Sequence, residues 1–390
     1  MYKESSKIAS RGLLLILFFG IFVSGFFNAY QLLLILLILS GFFCIVSKSL
    51  CPLQVNKPEI RSIVLFIFAI FVTCLFSKDK ISSVKYLFLW ISILLIVQII
   101  LYNRAYRNKI YKLFVFFCFI ECFFILLQRI APSVVNRINS VLLSGYIDEI
   151  KSYFDLHNAC VGIAVNQPNA MFFSFCIFCA GIIRTLKKVN IINVGMIALG
   201  VICMLLAGKR SIIVIVALAL LYMGITVYSK KKKISFKWKL LFLLICGVGI
   251  YVLFFTRVGI DIILKNETLI AAGDISNGRF ALILEMIDIF KEHPIVGIGP
   301  LATYSYTGTY LGHNIYAQAL AEMGLLGFCG LIYMVVSNLR FKTRAIRNGK
   351  CEDIDYFCVY IQLFFIIYGF FGNPLFSYMF LIPYILFSVL

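Results

Sequence analysis

The stretch YKLFVFFCFIECFFILLQRI, residues 111–130, decides the fold class of this chain. The run has the length of one membrane crossing, and Glu121 is the charge nearest its middle. About 20 apolar residues in a helix span the hydrocarbon core of a bilayer, where a helix satisfies its own backbone hydrogen bonds. The stretch therefore predicts a transmembrane helix.

Similar runs recur along the whole sequence. Hydrophobic residues make up 62% of the 390 positions, charged residues 14%, and the mean hydropathy is +0.99. A water-soluble domain has about 25% charged residues and could not bury this much apolar surface. We predict an all-α integral membrane protein in which a single polytopic domain, residues 1–390, crosses the bilayer about twelve times. The predicted spans are 12–28, 31–47, 61–77, 84–102, 111–130, 164–183, 190–207, 211–228, 239–256, 319–338, 356–371 and 374–390.

The basic residues indicate the orientation of these spans. With the N-terminus in the cytoplasm, 24 of the 36 Lys and Arg residues fall in the cytoplasmic loops. Because Lys and Arg accumulate on that side, the alternation predicts that both termini are cytoplasmic. The formal net charge of +19 then reports topology and contact with anionic lipid, and it does not call for a nucleic-acid partner.

Two predicted outer connections are too long to be simple turns. They cover residues 131–163 and residues 257–318, and the second, between spans 9 and 10, contains a helix-like stretch and a Tyr-rich segment. Long loops that are not low-complexity are usually functional. We therefore expect residues 257–318 to form an extracytoplasmic catalytic loop. No internal repeat accompanies it, which argues against a transporter built from repeats.

A basic pair, Lys209-Arg210, occupies the short predicted outer turn after span 7. One explanation is that two side chains snorkel at a helix end. The other is an anion site, because the planar guanidinium of Arg210 matches the geometry of phosphate oxygens.

Arg279 precedes an amphipathic stretch whose apolar side chains share one helical face. Ser276 or Asn277 is the expected N-cap. A basic residue in a first helical turn opposes the helix dipole unless an anion binds there. Arg279 is therefore either a second phosphate contact or an ordinary surface residue. His293, followed by Pro294, is expected to end the helix in a structural role.

His313 is the candidate for acid–base chemistry. An imidazole titrates near pH 6.5, so it can exchange a proton near neutrality. The residue lies beside Asn314, just before predicted span 10, in a segment rich in Tyr and Gly. A lone histidine is often structural, but this placement favours a functional role. The Tyr rings offer apolar faces with polar tips, which suit sugar rings and equally suit a membrane interface.

Other polar residues lie in or beside the spans. Gln167 and Asn169 flank Pro168 at the start of span 6, where a proline is common in any helix. Glu121 lies deep in span 5, where an ionisable group is either functional or a protonated packing residue. Most of the thirteen cysteines fall in apolar runs and are expected to pack as small hydrophobes, without a metal.

Four features in chain order resemble the O-antigen ligase and O-antigen polymerase family. They are the basic pair, Asn277-Gly278-Arg279, HPIVGIG at 293–299 and HNIYAQALAEMGLLG at 313–327. The resemblance covers about residues 160–330. Members often have Ser-Gly-Arg where this chain has Asn277-Gly278-Arg279, and the Trp that often follows is absent here.

The resemblance implies an all-helical enzyme of the bacterial cytoplasmic membrane that needs no metal or cofactor. Members take a glycan linked through diphosphate to undecaprenol and transfer it to a hydroxyl at the outer face. By this analogy Arg210 and Arg279 hold the diphosphate, Lys209 assists, and His313 orients or deprotonates the acceptor. Asn314 and Glu322 are expected to position the turn that carries His313. The expected substrate-binding residues are Lys209, Asn314, Tyr316, Glu322, Gln167 and Asn169.

The favoured activity is that of a polymerase, which joins lipid-linked repeat units into O-antigen, capsule or exopolysaccharide. A ligase, which transfers the glycan to lipid A-core or a similar acceptor, has the same motifs and is the alternative. A flippase is the alternative from another class, although it should carry charges along a central cavity and show repeat symmetry. Expected partners are the lipid-linked oligosaccharide and the bilayer, with a flippase and a chain-length regulator as candidates.

Overall fold

A computed structural model describes residues 56–209, 211–225, 278–308, 313–349 and 351–390. Within these ranges the protein is helical, with no β-strand. The helices are α1 (Pro58–Leu75), α2 (Lys80–Tyr102), α3 (Arg107–Ile130), α4 (Pro132–Leu142), α5 (Ile147–His157), α6 (Gln167–Lys187), α7 (Ile191–Leu206), α8 (Ser211–Met223), α9 (Arg279–Glu292), α10 (Thr303–Thr307), α11 (Ile315–Arg347), α12 (Asp353–Tyr368) and α13 (Tyr378–Val389).

The prediction of an all-helical membrane protein is confirmed. Among the described residues, five helical stretches are long and apolar enough to cross a bilayer, and α7, α8 and α13 are shorter apolar helices. The predicted spans at 12–28, 31–47 and 239–256 lie outside the described residues, so the total of twelve stays a prediction. The five long stretches are Pro58–Leu75, Lys80–Gln98, Arg104–Ile130, Gln167–Lys187 and Ile315–Arg347.

Aromatic rings form the centre of the helix bundle. Phe172 of α6 packs 6.5 Å from Phe114 of α3 and 4.9 Å from Phe364 of α12, measured between ring centroids. Phe114 also contacts Phe387 of α13 at 5.1 Å, edge to face. Edge-to-face and tilted pairs are favourable ring geometries, so these contacts fix α3, α6, α12 and α13 around one core.

The connections fall at two opposite ends of the bundle. Those that follow α1, α5, α7, α10 and α12 meet at one end, which we call the histidine end because it holds His313. The hydrogen bonds that join these connections run from Lys78 N–H to Ile298 O, from Cys160 N–H to Leu206 O, and from Ile315 N–H to Gly369 O.

Ion pairs join the connections at the other end. Arg107, which begins α3, lies 2.8 Å from Glu352 and 3.3 Å from Asp355 at the start of α12. Lys187, which ends α6, pairs with Asp353 at 2.6 Å. The described loops that contain Arg107 and Lys187, both predicted to be cytoplasmic, therefore share one end with the start of α12, as alternating spans require.

The connection predicted as an outer loop at 131–163 is mostly helical, which corrects the prediction. It contains α4 and α5, followed by residues 158–166, which we call the buried segment. Val135 and Ile150 are fully buried, because each of these two helices turns one apolar face towards the protein. The sequence pattern was too short to reveal them.

Helix α11 is longer than the predicted span 319–338 and is broken at Gly324, where φ is 57° and ψ is −163°. Residues 294–299, which we call the inserted segment, pack into this break. The N–H groups of Ile298 and Gly299 donate to Ala321 O (3.1 Å) and Glu322 O (2.8 Å). In return, Pro294 O and Ile295 O accept from the N–H groups of Leu325 (2.8 Å) and Leu326 (3.1 Å). The backbone groups freed by the break are thereby satisfied.

Candidate functional site

His313 lies at the histidine end, immediately before α11. Its φ of 49° is in the left-handed region, which few residues other than Gly adopt. The next residue, Asn314, is the N-cap of α11, and its Oδ1 accepts from the N–H groups of Tyr316 (3.0 Å) and Ala317 (3.1 Å). The capping contacts of Asn314 therefore fix the point at which His313 leaves the helix.

Arg279 is the first residue of α9. The expected cap at Ser276 or Asn277 is wrong, since the N-cap is Gly278 at φ 80°, with no side-chain cap bond. Glycine adopts this conformation without strain, whereas a serine would not. The Arg279 guanidinium donates through Nη1 to Phe371 O at 3.4 Å, which ties α9 to the connection after α12.

Electrostatic contact brings three predicted residues together. The pKa of His313 is lowered below its usual value, first because partial burial disfavours the charged imidazole and then because of the positive charges of Arg279 and Lys209. The neutral imidazole of His313, which can accept a proton, is therefore favoured, with two cations nearby that can bind an anion. Arg210 lies outside the described residues.

Gln167 lies beside the turn that carries Lys209. Gly208 in this turn has φ 68°, and a Cβ placed on it would lie 3.2 Å from Ala159 Cβ and 3.6 Å from Gln167 Nε2. Asn169 is in the first turn of α6 and is buried, and its Nδ2 donates to Ala164 O at 2.9 Å. The described contacts of Asn169 thus hold the buried segment, while Gln167 lies at the surface of the candidate site.

Glu322 is buried in α11 and accepts three hydrogen bonds. Its carboxylate receives the N–H of Leu301 (2.9 Å), the hydroxyl of Thr303 (2.6 Å) and the amide of Gln318 (2.9 Å). These bonds hold the segment just after the inserted segment, and the role of Glu322 in positioning the turn that carries His313 stays a prediction.

Tyr316 is bonded to a neighbouring helix. Its hydroxyl donates to Ile366 O at 2.7 Å, and its ring lies 4.5 Å from the ring of Phe370. These contacts attach the start of α11 to the end of α12, next to the carbonyl of Phe371 that receives Arg279.

The buried segment brings in residues that the sequence analysis missed. Gln128, in the last turns of α3, accepts at Oε1 from the N–H groups of both Val161 and Gly162, each at 2.8 Å. Asn139 of α4 donates to Gly162 O at 3.0 Å. Glu121, which the sequence analysis did name, is buried two turns before Gln128 in α3 and accepts from the N–H of Ile163. In the sequence, the one feature that could have indicated these contacts was Gln128, a polar residue near the end of an apolar span.

Thiols and carboxylates do not gather into a metal site in the described part of the chain. No group of three or more His, Cys, Asp or Glu residues there could hold a metal ion. The buried Cys122 and Cys203 lie close together across α3 and α7, where the Cys203 thiol donates to Cys122 O at 3.5 Å.

Comparison with known proteins identifies the segment that carries these features. Residues 195–332 match the family model described as O-antigen ligase. No curated protein matches the chain. The matched range runs from α7 into α11, and it includes Lys209, Arg279, His313 and Glu322. The match confirms the predicted resemblance to the O-antigen ligase and O-antigen polymerase family over this segment.

Proposed function

We propose that this protein is a polysaccharide polymerase, which joins undecaprenyl-diphosphate-linked repeat units at the outer face of the bacterial cytoplasmic membrane. One observation carries the proposal: the imidazole of His313 lies within the electrostatic influence of both Arg279 and Lys209. A neutral base beside two cations suits a reaction in which a hydroxyl loses a proton while a diphosphate leaves.

The reaction proceeds by transfer of one glycosyl group. The acceptor hydroxyl oxygen forms a bond to the anomeric carbon of the donor, and His313 takes the hydroxyl proton. The bond between that carbon and the diphosphate oxygen breaks, and the electron pair stays on the diphosphate. Arg279, Lys209 and Arg210 stabilise the charge that develops there. The proton on His313 passes to solvent, so no metal or cofactor takes part.

The predicted orientation agrees with this reaction. If the basic loops at the end that holds Arg107 and Lys187 are cytoplasmic, the histidine end faces outward. A polymerase there would receive its substrate from a flippase, and a chain-length regulator would act on the growing product. The contact of Arg279 with Phe371 O and the position of Gln167 beside the Lys209 turn support a role for both cations at this same end.

The test is to delete the gene and restore it with variants expressed at equal levels. Wild type should restore a ladder of long polysaccharide, while His313→Ala should leave a single repeat unit on the final acceptor. His157→Ala is the matched control, because His157 is exposed in α5 and has no role in the mechanism. A wild-type ladder from His313→Ala would refute the proposal.

The deletion also separates the alternatives. Loss of a ligase leaves no glycan on the acceptor, and lipid-linked polymer accumulates. Loss of a flippase leaves lipid-linked repeat units on the cytoplasmic side. Arg210→Lys tests the phosphate contact, because lysine keeps the charge and loses the planar fork. Full activity in Arg210→Lys would rule out bidentate binding.

A further inference from the structure

A polar aromatic surface at the C-terminal end of α9 has no part in the mechanism above. It consists of Glu292, His293, Tyr304 and Tyr306, and we call it the tyrosine surface. Tyr304 and Tyr306 are 56% and 42% exposed. The Tyr306 hydroxyl donates to Glu292 Oε2 at 3.0 Å, and the His293 ring lies edge-on to Tyr306 at 6.1 Å.

We propose that the tyrosine surface is a binding subsite for the oligosaccharide chain, separate from the centre at His313. This inference rests on the proposed function. Sugars present one apolar C–H face, which packs on an aromatic ring, and several hydroxyls, which bond to carboxylate and phenol oxygens. The tyrosine surface offers two exposed rings and a carboxylate that already orients one of the phenols.

The tyrosine surface is held rigidly, which lowers the entropic cost of binding a flexible chain. Thr303, the first residue of α10, donates to the buried Glu322 at 2.6 Å, and Leu301 N–H does so at 2.9 Å. On the other side, the hydroxyl of Ser83 in the first turn of α2 donates to Pro300 O at 2.7 Å. Both exposed tyrosines therefore project from a turn fixed at two points.

The distance along α9 indicates what kind of ligand fits. Arg279 begins this 14-residue helix and Glu292 ends it, so the two ends are about 20 Å apart at 1.5 Å per residue. A single sugar held at the diphosphate could not reach the tyrosine surface. A chain of several sugars could, so the ligand is the growing polysaccharide or a long repeat unit.

Exposed tyrosines also occur in membrane-interface belts, and this reading supplies the competing outcome. The charged neighbours argue against a belt: Glu292 is exposed beside Tyr306, and Lys291 and Asp288 form an exposed ion pair one turn earlier, at 2.7 Å. A lipid-facing ring would not be surrounded by these charges.

The experiment measures binding without catalysis. The probe is the cell's own polysaccharide, released from lipid by mild acid and titrated onto purified protein in nanodiscs. The double variant Tyr304→Ala, Tyr306→Ala should bind about tenfold more weakly, as expected for losing two ring contacts. Tyr306→Trp, which keeps a ring, should bind like wild type. Tyr333→Ala is the matched control, because Tyr333 is similarly exposed (39%) on α11.

A second readout is the product ladder in cells. The double variant should still join the first repeat units and should lose the long products. His313→Ala should abolish the ladder but bind the probe normally, so failure of the proposed function and failure of the subsite give different results. Unchanged binding and an unchanged ladder in the double variant would overturn the subsite. Unchanged binding with poorer membrane insertion would overturn it in favour of an interfacial belt.

Discussion

The buried segment and the inserted segment are both irregular stretches packed among helices, yet they satisfy their backbones differently. The buried segment, residues 158–166, bonds to other helices mainly through their side chains, which are those of Gln128 of α3, Asn139 of α4 and Asn169 of α6. Its backbone bond to α7 runs from Cys160 N–H to Leu206 O. The inserted segment, residues 294–299, exchanges four bonds with the backbone of α11 on both sides of Gly324.

Each solution has its own cost. The amides that bond the buried segment leave their other atoms buried without a hydrogen bond among the described residues: Gln128 Nε2, Asn139 Oδ1 and Asn169 Oδ1. In the backbone exchange both partners of each of the four bonds are satisfied. It brings two stretches of backbone so close together, however, that Gly297 and Gly324 have no room for a Cβ. The buried segment should therefore be sensitive to side-chain deletion, and the inserted segment to side-chain addition.

The largest effect is expected from Gly324→Ala. The added Cβ would overlap the carbonyl group of Ile295, and the positive φ of 57° would strain the alanine as well. We expect a loss of about 3 kcal/mol or more in unfolding free energy, measured by thermal unfolding in detergent.

Gly349→Ala is the matched control for Gly324→Ala. Gly349 also has a positive φ, 98°, but nothing lies within 4 Å of the added Cβ. It should cost only the backbone strain, about 1–2 kcal/mol. Equal losses in the two variants would mean that close packing contributes nothing at the break.

Gln128→Leu is expected to come next. It leaves the N–H groups of Val161 and Gly162 buried without an acceptor, and each such donor costs about 1–3 kcal/mol. The same change at Gln362, also fully buried, removes an amide that has no hydrogen bond among the described residues. Gln362→Leu should therefore be neutral or stabilising. If both variants lose the same stability in thermal unfolding, the bonds to the buried segment are not what matters.

Asn139→Ala should have a smaller effect. It removes the bond from Asn139 Nδ2 to Gly162 O. It also removes the side-chain oxygen Asn139 Oδ1, which has no hydrogen bond among the described residues. Because a carbonyl such as Gly162 O tolerates an unmade bond better than an N–H does, we expect a loss of about 1 kcal/mol. A loss as large as that of Gln128→Leu would show that α4 holds the segment as firmly as α3.

The smallest expected change is a shift in the pKa of His313. It tests whether a cation next to each segment acts on this imidazole. Lys209 lies in the turn beside the buried segment, and Arg279 begins the helix that leads to the inserted segment. Both charges lower the pKa of His313, and Arg279 does so more strongly. Neutralising either should raise that pKa, so protonation of His313 should occur at higher pH in Lys209→Met, and higher again in Arg279→Met.

The measurement is the rate at which an acylating reagent modifies His313, followed by mass spectrometry from pH 5 to pH 8. Only the neutral imidazole reacts, so the rate falls as the pH drops through the pKa. Modification of the exposed His157 in the same sample serves as a check that the reagent is active at each pH. Identical His313 curves in wild type and both variants would contradict the electrostatic contact.

Long runs of apolar residues made the membrane-spanning helices predictable. The predicted spans at 61–77, 84–102 and 111–130 match α1, α2 and α3 within a few residues, because lipid solvation requires apolar side chains along the whole helix. The end of α9 at His293 was predictable from Pro294, which cannot continue a helix. Helices α4 and α5 were not predictable, because each is only three turns long and its apolar residues alternate with polar ones.

The candidate site was predictable only as a set of residue types. The association of Lys209, Arg279 and His313 follows from contacts between residues far apart in sequence, such as Arg279 with Phe371, which no local pattern encodes. The break in α11 was also invisible, because Gly324 alone in a helical run is usually tolerated. Its meaning depends on Gly297, 27 positions earlier.

The exchange of bonds at Gly324 also bears on how the chain is made. The residues of the inserted segment leave the ribosome roughly two to three dozen residues before their partners in α11 do, which at 5–20 residues per second is a delay on the order of 1–6 s. Until then, the N–H groups of Ile298 and Gly299 and the carbonyls of Pro294 and Ile295 have no partner in α11. Water must hold them during that interval, so the segment has to wait outside the hydrocarbon until α11 emerges. Synthesis order thus makes the closing of this break a late step in assembly, after α9 has formed.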